Sequence, residues 1–217
     1  MAAFLSGVVL AAGTASRMGS PKQLLPLRGR PLLQHVVDAA AASCLDEIVL
    51  VLGHRAAEIE AALQLPVGRA VRVVVNDGYA EGQSSSLKAG LRAADARAAG
   101  AAILLGDQPG VTATLIDRVA AAFGSAAVPV VRPVWRGKMD EMDTMDGMDA
   151  GAGLEARRVP GHPVVLARRI WPELERLRGD QGARVLIAAR PEWVLEVEIE
   201  GVPPADVDTP GEYAALR

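Results

Sequence analysis

Leu10-Ala11-Ala12-Gly13-Thr14-Ala15-Ser16-Arg17-Met18-Gly19-Ser20-Pro21-Lys22 follows directly on an apolar run, Leu5 to Leu10, that reads as a buried strand. The stretch offers small residues, then one arginine, a second glycine and one lysine. Gly13 and Gly19 can adopt positive φ, so successive N–H groups can turn inward and form a nest for an anion. Arg17 and Lys22 add full charges to those partial ones: a guanidinium forks onto phosphate oxygens, and an ammonium acts as a movable point charge. Neither G-x-G-x-x-G nor G-x-x-x-x-G-K-[ST] occurs here, so this is not the dinucleotide fingerprint or a P-loop. Lys22 carries a second signal. The chain has 23 Lys plus Arg, of which only Lys22, Lys88 and Lys138 are lysines. In so arginine-rich a chain, an indifferent basic position would be filled by arginine. The plainer alternative for Lys22 is a solvated surface charge.

Outward from this loop, strand and helix signals alternate. Strands are expected at 5–10, 47–52, 71–75, 101–105, 126–131, 159–166 and 193–199. Helices are expected at 31–43, 56–63, 84–99, 112–123, 168–178, 182–189 and 211–216, with Pro31 and Thr112 suited to helix starts. This order predicts an α/β fold, a Rossmann-like three-layer α/β/α sandwich around a mostly parallel sheet. In such sheets ligands bind beyond the carboxyl ends of the strands, which places the Leu10, Asn76 and Gly106 loops on one rim.

Composition bounds the rest. The 217 residues suffice for one domain over 1–217, broken by a low-complexity insertion at about 136–157. There Met139 to Ala150 repeats Met-Asp-x four times, a period of three that fits neither strand nor helix. A cation-binding role for it lacks the glycine turn and distal glutamate of a calcium loop. A net charge of −3 argues against a non-specific nucleic-acid partner. Phe4 to Ala12 is short, with no positive charge before it, unlike a secretion signal, and no run reaches the ~20 apolar residues of a membrane helix. Cys44 is the only cysteine, which fits a reducing cytoplasm. One cysteine and three scattered histidines do not suggest zinc, and no G-x-S-x-G elbow suggests a serine hydrolase.

Three further segments carry chemistry. Gly106-Asp107-Gln108-Pro109 ends an apolar strand, and a carboxylate there, beside a phosphate loop, is placed for Mg²⁺, which needs only one or two protein carboxylates. Read alone, Asp107 could equally stabilise a turn before Pro109. Asp206-Val207-Asp208-Thr209-Pro210 sets two carboxylates on one side of an extended segment. The same residues suit a capped helix start, and both roles can coexist. Asn76-Asp77, followed by Glu81-Gly82-Gln83-Ser84-Ser85-Ser86, offers close backbone approach at Gly82 and several hydroxyls and N–H groups at a helix start, able to read a base edge. N-capping explains one serine but not three.

These motifs together, Leu-Ala-Ala-Gly-x-x-Ser-Arg-Met-Gly-x-x-Lys, Gly-Asp-x-Pro, Gly161-His162-Pro163-Val164 and Asp-x-Asp-Thr-Pro, resemble the nucleotidyltransferases of Rossmann-like fold, and among them the molybdenum cofactor cytidylyltransferase group. Here Thr14 and Ala15 lie between Gly13 and Ser16, one residue more than the usual pattern. The resemblance implies transfer of CMP from CTP to molybdenum-bearing molybdopterin, with release of pyrophosphate and with Mg²⁺ as cofactor. It implies that Leu10, Ala11, Ala12, Gly13, Thr14, Ser16, Arg17, Met18, Gly19 and Lys22, with Gly106, hold the triphosphate. Asn76, Gly82, Ser84, Ser85 and Ser86 would bind the nucleoside. Arg17, Lys22 and Asp107 would carry catalysis. Asp107 and Asp208, with Asp206 as alternate, would hold the metal, and Gly161, His162 and Asp180 would meet the acceptor. A molybdenum hydroxylase is the further partner so implied. The competing expectations are a related transferase with another phosphate acceptor (a sugar phosphate or methylerythritol phosphate), a nicotine-blue-type NAD(P)H oxidoreductase, and a non-catalytic protein that delivers molybdenum cofactor.

Overall fold

In the computed structural model, which describes residues 3–13, 21–136 and 158–216, ten strands and seven α-helices are formed. The strands are β1 (Leu5–Ala11), β2 (Pro26–Leu27), β3 (Arg30–Pro31), β4 (Glu47–Leu52), β5 (Ala70–Val75), β6 (Gly100–Leu105), β7 (Val130–Arg136), β8 (Arg158–Pro160), β9 (Val164–Ala167) and β10 (Val194–Ile199). The helices are α1 (Leu32–Ala42), α2 (Ala56–Ala62), α3 (Gln83–Ala93), α4 (Ala113–Ser125), α5 (Trp171–Leu174), α6 (Ala183–Ala189) and α7 (Pro210–Ala215). Eight strands form one sheet in the order β10-β7-β9-β6-β1-β4-β5, with β8 paired to β7. β1 pairs in parallel with both β4 and β6, and β5 with β4. β9 runs antiparallel to β6 and β7, so the sheet is mostly parallel.

Side-chain alternation explains why helices cover both faces. Val9 and Ala11 of β1, with Leu50 and Leu52 of β4, pack against α1, α2 and α4. Val8 and Ala12, with Val49 and Val51, pack against α3, α5 and α6. A strand buried on both sides has no polar face to alternate with, hence its continuous apolar runs. No described helix is long and apolar enough to cross a membrane.

Four elements depart from the sequence expectation, each for a local reason. α3 ends at Ala93, not Ala99, because the Asp95 carboxylate accepts the Arg97 backbone N–H at 2.8 Å and offers the chain a turn instead of a further helical bond. The 168–178 helix is reduced to a 3-10 turn, Arg168–Ile170, and the single turn of α5, since Pro172 has no N–H to carry a helix through. The 126–131 strand shifts to β7, running through Pro133, whose carbonyl accepts the Gly161 N–H at 3.2 Å. The 159–166 strand divides into β8 and β9 around Gly161, His162 and a cis Pro163. The β2–β3 hairpin and a 3-10 turn at Lys22–Leu24 had no clear signal in the sequence. The Met-Asp repeat lies outside the described residues.

Candidate active site

The carboxyl ends of β1 and β6 lie side by side and form the floor of a cleft of roughly 370 Å³. Leu10 through Gly13 enter it from β1, Leu105 through Asp107 from β6, and Gly82, Gln83 and Ser86 from the start of α3. The floor is thin where the two loops touch. Gly106 donates its N–H to the Leu10 carbonyl at 2.9 Å, and a Cβ at Gly106 would lie 2.8 Å from that of Ala11. Glycine is therefore the residue this approach requires.

Lys22 reaches the cleft from the 3-10 turn after the loop. Its Nζ donates to Asp107 Oδ2 at 2.5 Å and to Asp208 Oδ1 at 2.7 Å. Burial alone would lower the lysine pKa, but the two carboxylates outweigh it and the net shift is upward. Three segments distant in sequence, 22, 107 and 208, thus converge on one point. Next to Lys22, Gln23 is buried and ties the loop to the sheet, donating to the carbonyls of Ala11 at 2.9 Å and Gly13 at 3.2 Å. In the sequence Gln23 carries one signal, its place directly after the loop lysine.

The C-terminal acidic segment is held from both sides. Val207 is fully buried and its N–H donates to the Asp107 carbonyl at 3.1 Å. Asp206 accepts from Gln108 Nε2 at 2.9 Å. Burial, reinforced by Asp107 and Asp208, pushes the Asp206 pKa upward, although the Gln108 bond opposes this. Thr209 caps α7 in a reciprocal capping box with Glu212, whose carboxylate also accepts the Asp208 N–H at 2.8 Å. The helix start and the carboxylate pair therefore coexist: Thr209 takes the capping duty, leaving the Asp208 side chain to face Lys22. Tyr213 Oη donates to the Pro26 carbonyl at 2.5 Å, which fastens α7 beside the Lys22 turn.

A divalent cation fits what this arrangement leaves unmet. Asp107 Oδ1 is buried and has no hydrogen-bond partner. A buried carboxylate oxygen without a partner is costly, and a hard cation would supply what it lacks. Among the described residues no group of three or more His, Cys, Asp or Glu could hold a metal by itself. The unmet Asp107 oxygen suits an ion held by one or two carboxylates and completed by phosphate and water oxygens.

The polar residues of the 76–86 segment divide between lining the cleft and bracing it. Of its serines, Ser86 lines the cleft, whereas Asn76, Ser84 and Ser85 do not. Asn76 is buried and acts as a brace: its Nδ2 donates to Ser85 Oγ at 2.9 Å and Ser86 Oγ at 3.1 Å, and its Oδ1 accepts the Gly78 N–H. Ser84 donates its N–H to the Gly179 carbonyl at 3.0 Å. Gly82 has φ +101°, and a Cβ there would lie 2.3 Å from the Gly179 carbonyl carbon. The 76–86 and 179–182 segments therefore meet backbone to backbone, and Asp180 faces this first cleft.

A second chamber of roughly 340 Å³ adjoins the first through Leu10, Gln83 and Leu105. Leu87, Ile103, Val164 and Ile187 make its walls apolar, while Arg132, Arg184, Gln108, Asp206 and His162 supply polar groups. Gly161 and His162 lie here, not in the first cleft. Burial lowers the His162 pKa to about 4, partly opposed by Asp107, so the imidazole is neutral near pH 7. Arg132 was not singled out in the sequence, where it falls one residue past the expected 126–131 strand; in the fold it lies within β7. Thr14, Ser16, Arg17, Met18 and Gly19 lie outside the described residues.

The model of the MobA-like NTP transferase domain matches residues 7–194. The chain is 32% identical over 197 residues to the nicotine blue oxidoreductase of Paenarthrobacter nicotinovorans, covering 89% of this chain and 85% of that protein. Among solved structures, Rv0371c from Mycobacterium tuberculosis H37Rv superposes with a TM-score of 0.79 at 31% identity, over 100% of this chain and 98% of that one. Its complex with manganese gives 0.75 at the same identity and the same coverage. A nucleotidyl transferase from Methanothermobacter thermautotrophicus, Mth528, gives 0.74 at 28% identity, over 99% and 96% of the two chains.

Proposed function

From the premise that this chain belongs to the family of MobA-like NTP transferase domains, we propose that it transfers CMP from CTP to the terminal phosphate of molybdenum-bearing molybdopterin. The observation that carries this reading is the meeting of Lys22, Asp107 and Asp208 on the rim of a cleft floored by β1 and β6. An acceptor phosphate oxygen bonds to the α-phosphorus, the bond from that phosphorus to the α,β-bridging oxygen breaks, and pyrophosphate leaves with its electron pair. No covalent enzyme intermediate is required, so catalysis is positioning and charge stabilisation.

Each residue then has a task. Lys22, with Arg17, meets the charge of the β- and γ-phosphates and of the leaving pyrophosphate. Asp107 and Asp208, with Asp206 as the alternate, would hold Mg²⁺. When bound, such an ion supplies neutralisation of charge on the reacting phosphates. Gly13 and Gly106 keep the backbone close to the polyphosphate. Gly82 and Ser86 face the nucleoside, with Asn76, Ser84 and Ser85 positioning them. The second chamber, with Gly161 and His162, takes the acceptor's body, and Asp180 stands near the junction of the two cavities. Neutral imidazole at His162 can donate one hydrogen bond and accept another.

A second reading rests on the whole-length relative named nicotine blue oxidoreductase: reduction of a chromophore by a reduced nicotinamide. One experiment separates the two. The protein is given each of the four NTPs with molybdenum-loaded molybdopterin and Mg²⁺, and pyrophosphate is measured. CTP-dependent release supports the transferase. Release with a different nucleotide, or only with a sugar phosphate acceptor, keeps the transferase and changes its substrates. No release, together with NAD(P)H oxidation, replaces it with the oxidoreductase.

A further inference from the structure

The Lys22 ammonium engages the same two carboxylates that would hold a divalent ion. It stands 2.5 Å from Asp107 Oδ2 and 2.7 Å from Asp208 Oδ1, with only 14% of its side chain exposed. An ammonium and a divalent ion cannot share those oxygens closely without strong repulsion in a half-buried place. Lysine is also the cation suited to leaving: a point charge on a flexible four-carbon stem, with three donors that accept many geometries. A nucleotide polyphosphate entering along Gly13 and Gly106 would offer that ammonium a more highly charged partner a short swing away.

We propose that Lys22 is an internal counter-cation that occupies the metal's carboxylates until a nucleotide draws it off, so that metal and nucleotide load as a coupled pair. Without nucleotide, the divalent ion must displace a salt-bridged lysine and binds weakly. With nucleotide, Lys22 transfers to phosphate, and Asp107 Oδ2 and Asp208 Oδ1 become available beside the unpartnered Asp107 Oδ1. Linkage makes this reciprocal, the metal strengthening nucleotide binding by the same factor. The inference rests on the assignment of Asp107 and Asp208 as metal ligands.

The test is Mn²⁺ titration of the full chain without nucleotide, followed by the loss of the free-ion paramagnetic resonance signal. Lys22→Gln removes the charge at similar length, and Lys22→Met does so without new hydrogen bonds. Lys22→Arg keeps the charge. Asp107→Asn reports on the ligand assignment. Expected are Mn²⁺ affinities about tenfold or more above wild type for Lys22→Gln and Lys22→Met, within the usual span of coupling between sites. Lys22→Arg should bind as weakly as wild type, and Asp107→Asn more weakly still. Equal or weaker binding by both neutral variants, with Asp107→Asn still weakened, overturns the inference and leaves the ligand assignment standing. Tight binding by Lys22→Arg also overturns it, since charge would not be the cause. Binding indifferent to Asp107→Asn overturns the ligand assignment, and the inference with it.

Discussion

Lys22 Nζ donates to Asp107 Oδ2 at 2.5 Å across 85 positions of sequence, joining the end of the first loop to the end of the sixth strand. This bond places a cation and an anion of the two rim loops in one cleft.

Replacing Lys22 by alanine should therefore cost chemistry more than fold. The expected loss is about 10²–10³ in turnover, the scale for removing one group that stabilises developing charge. Pyrophosphate release reads the loss, and a thermal melt close to wild type shows that the fold survives. Turnover near wild type would take Lys22 out of the mechanism.

The two C-terminal carboxylates differ in what they face, Asp208 toward Lys22 and Asp206 toward Gln108. Asp208→Asn should raise the Mg²⁺ concentration needed for half-maximal turnover at least several-fold, and Asp206→Asn by less. A metal titration of both variants decides between them. The reverse order would make Asp206 the ligand.

Gly82→Ala combines a left-handed backbone with a clash against Gly179. Strain at such a position is worth about 1–3 kcal/mol, and the collision adds to it. Gly179, at φ +58° with open space around it, should cost only about 1 kcal/mol when changed to alanine. Urea unfolding of both variants, read as a shift in midpoint at constant slope, tests the contrast. Equal midpoints would show that the two backbones do not meet in solution.

His162 ties stability to pH. Its pKa is about 4 in the fold against 6.5 for a free histidine. As pH falls below about 6.5 the unfolded chain takes up the proton first, so stability is lost between there and pH 4. The loss from this group reaches up to about 3 kcal/mol. Urea unfolding at pH 7.5, 6 and 5 should show a shallower decline in His162→Gln than in wild type. Parallel declines would mean that His162 titrates normally.

Much of this was legible in the chain itself. The apolar runs 8–11 of β1, 48–52 of β4 and 101–105 of β6 announce strands buried on both faces, because no polar residue interrupts them. Gly106 and Asp107, set immediately after such a run, had to emerge on the rim where parallel strands end. Asn76 was legible as a polar residue in a loop after a strand and Ser85 as one at a helix start, but not their work: which group faces a ligand and which is consumed by a brace depends on where the helix turns. Arg132 was hidden for a different reason: it falls just past the expected 126–131 strand, and no neighbour in the chain reports that β7 carries it into a cavity lined also by α6 and β9. The Gly82–Gly179 approach joins segments nearly a hundred residues apart, and no local pattern reports it.

What the sequence by itself determined is the set of short-range choices: a parallel-sheet pattern of strands and helices, a glycine-bearing loop ending in lysine, and acidic residues at two chain turns. These follow from periodicity, backbone freedom and charge, all properties of neighbours in the chain. The tertiary structure alone decided that Lys22 lies between Asp107 and Asp208, that Asn76 braces the start of α3, and that His162 lines a separate chamber. Those are long-range facts, fixed by how the sheet orders its strands and by how α7 is tied back through Tyr213 to Pro26.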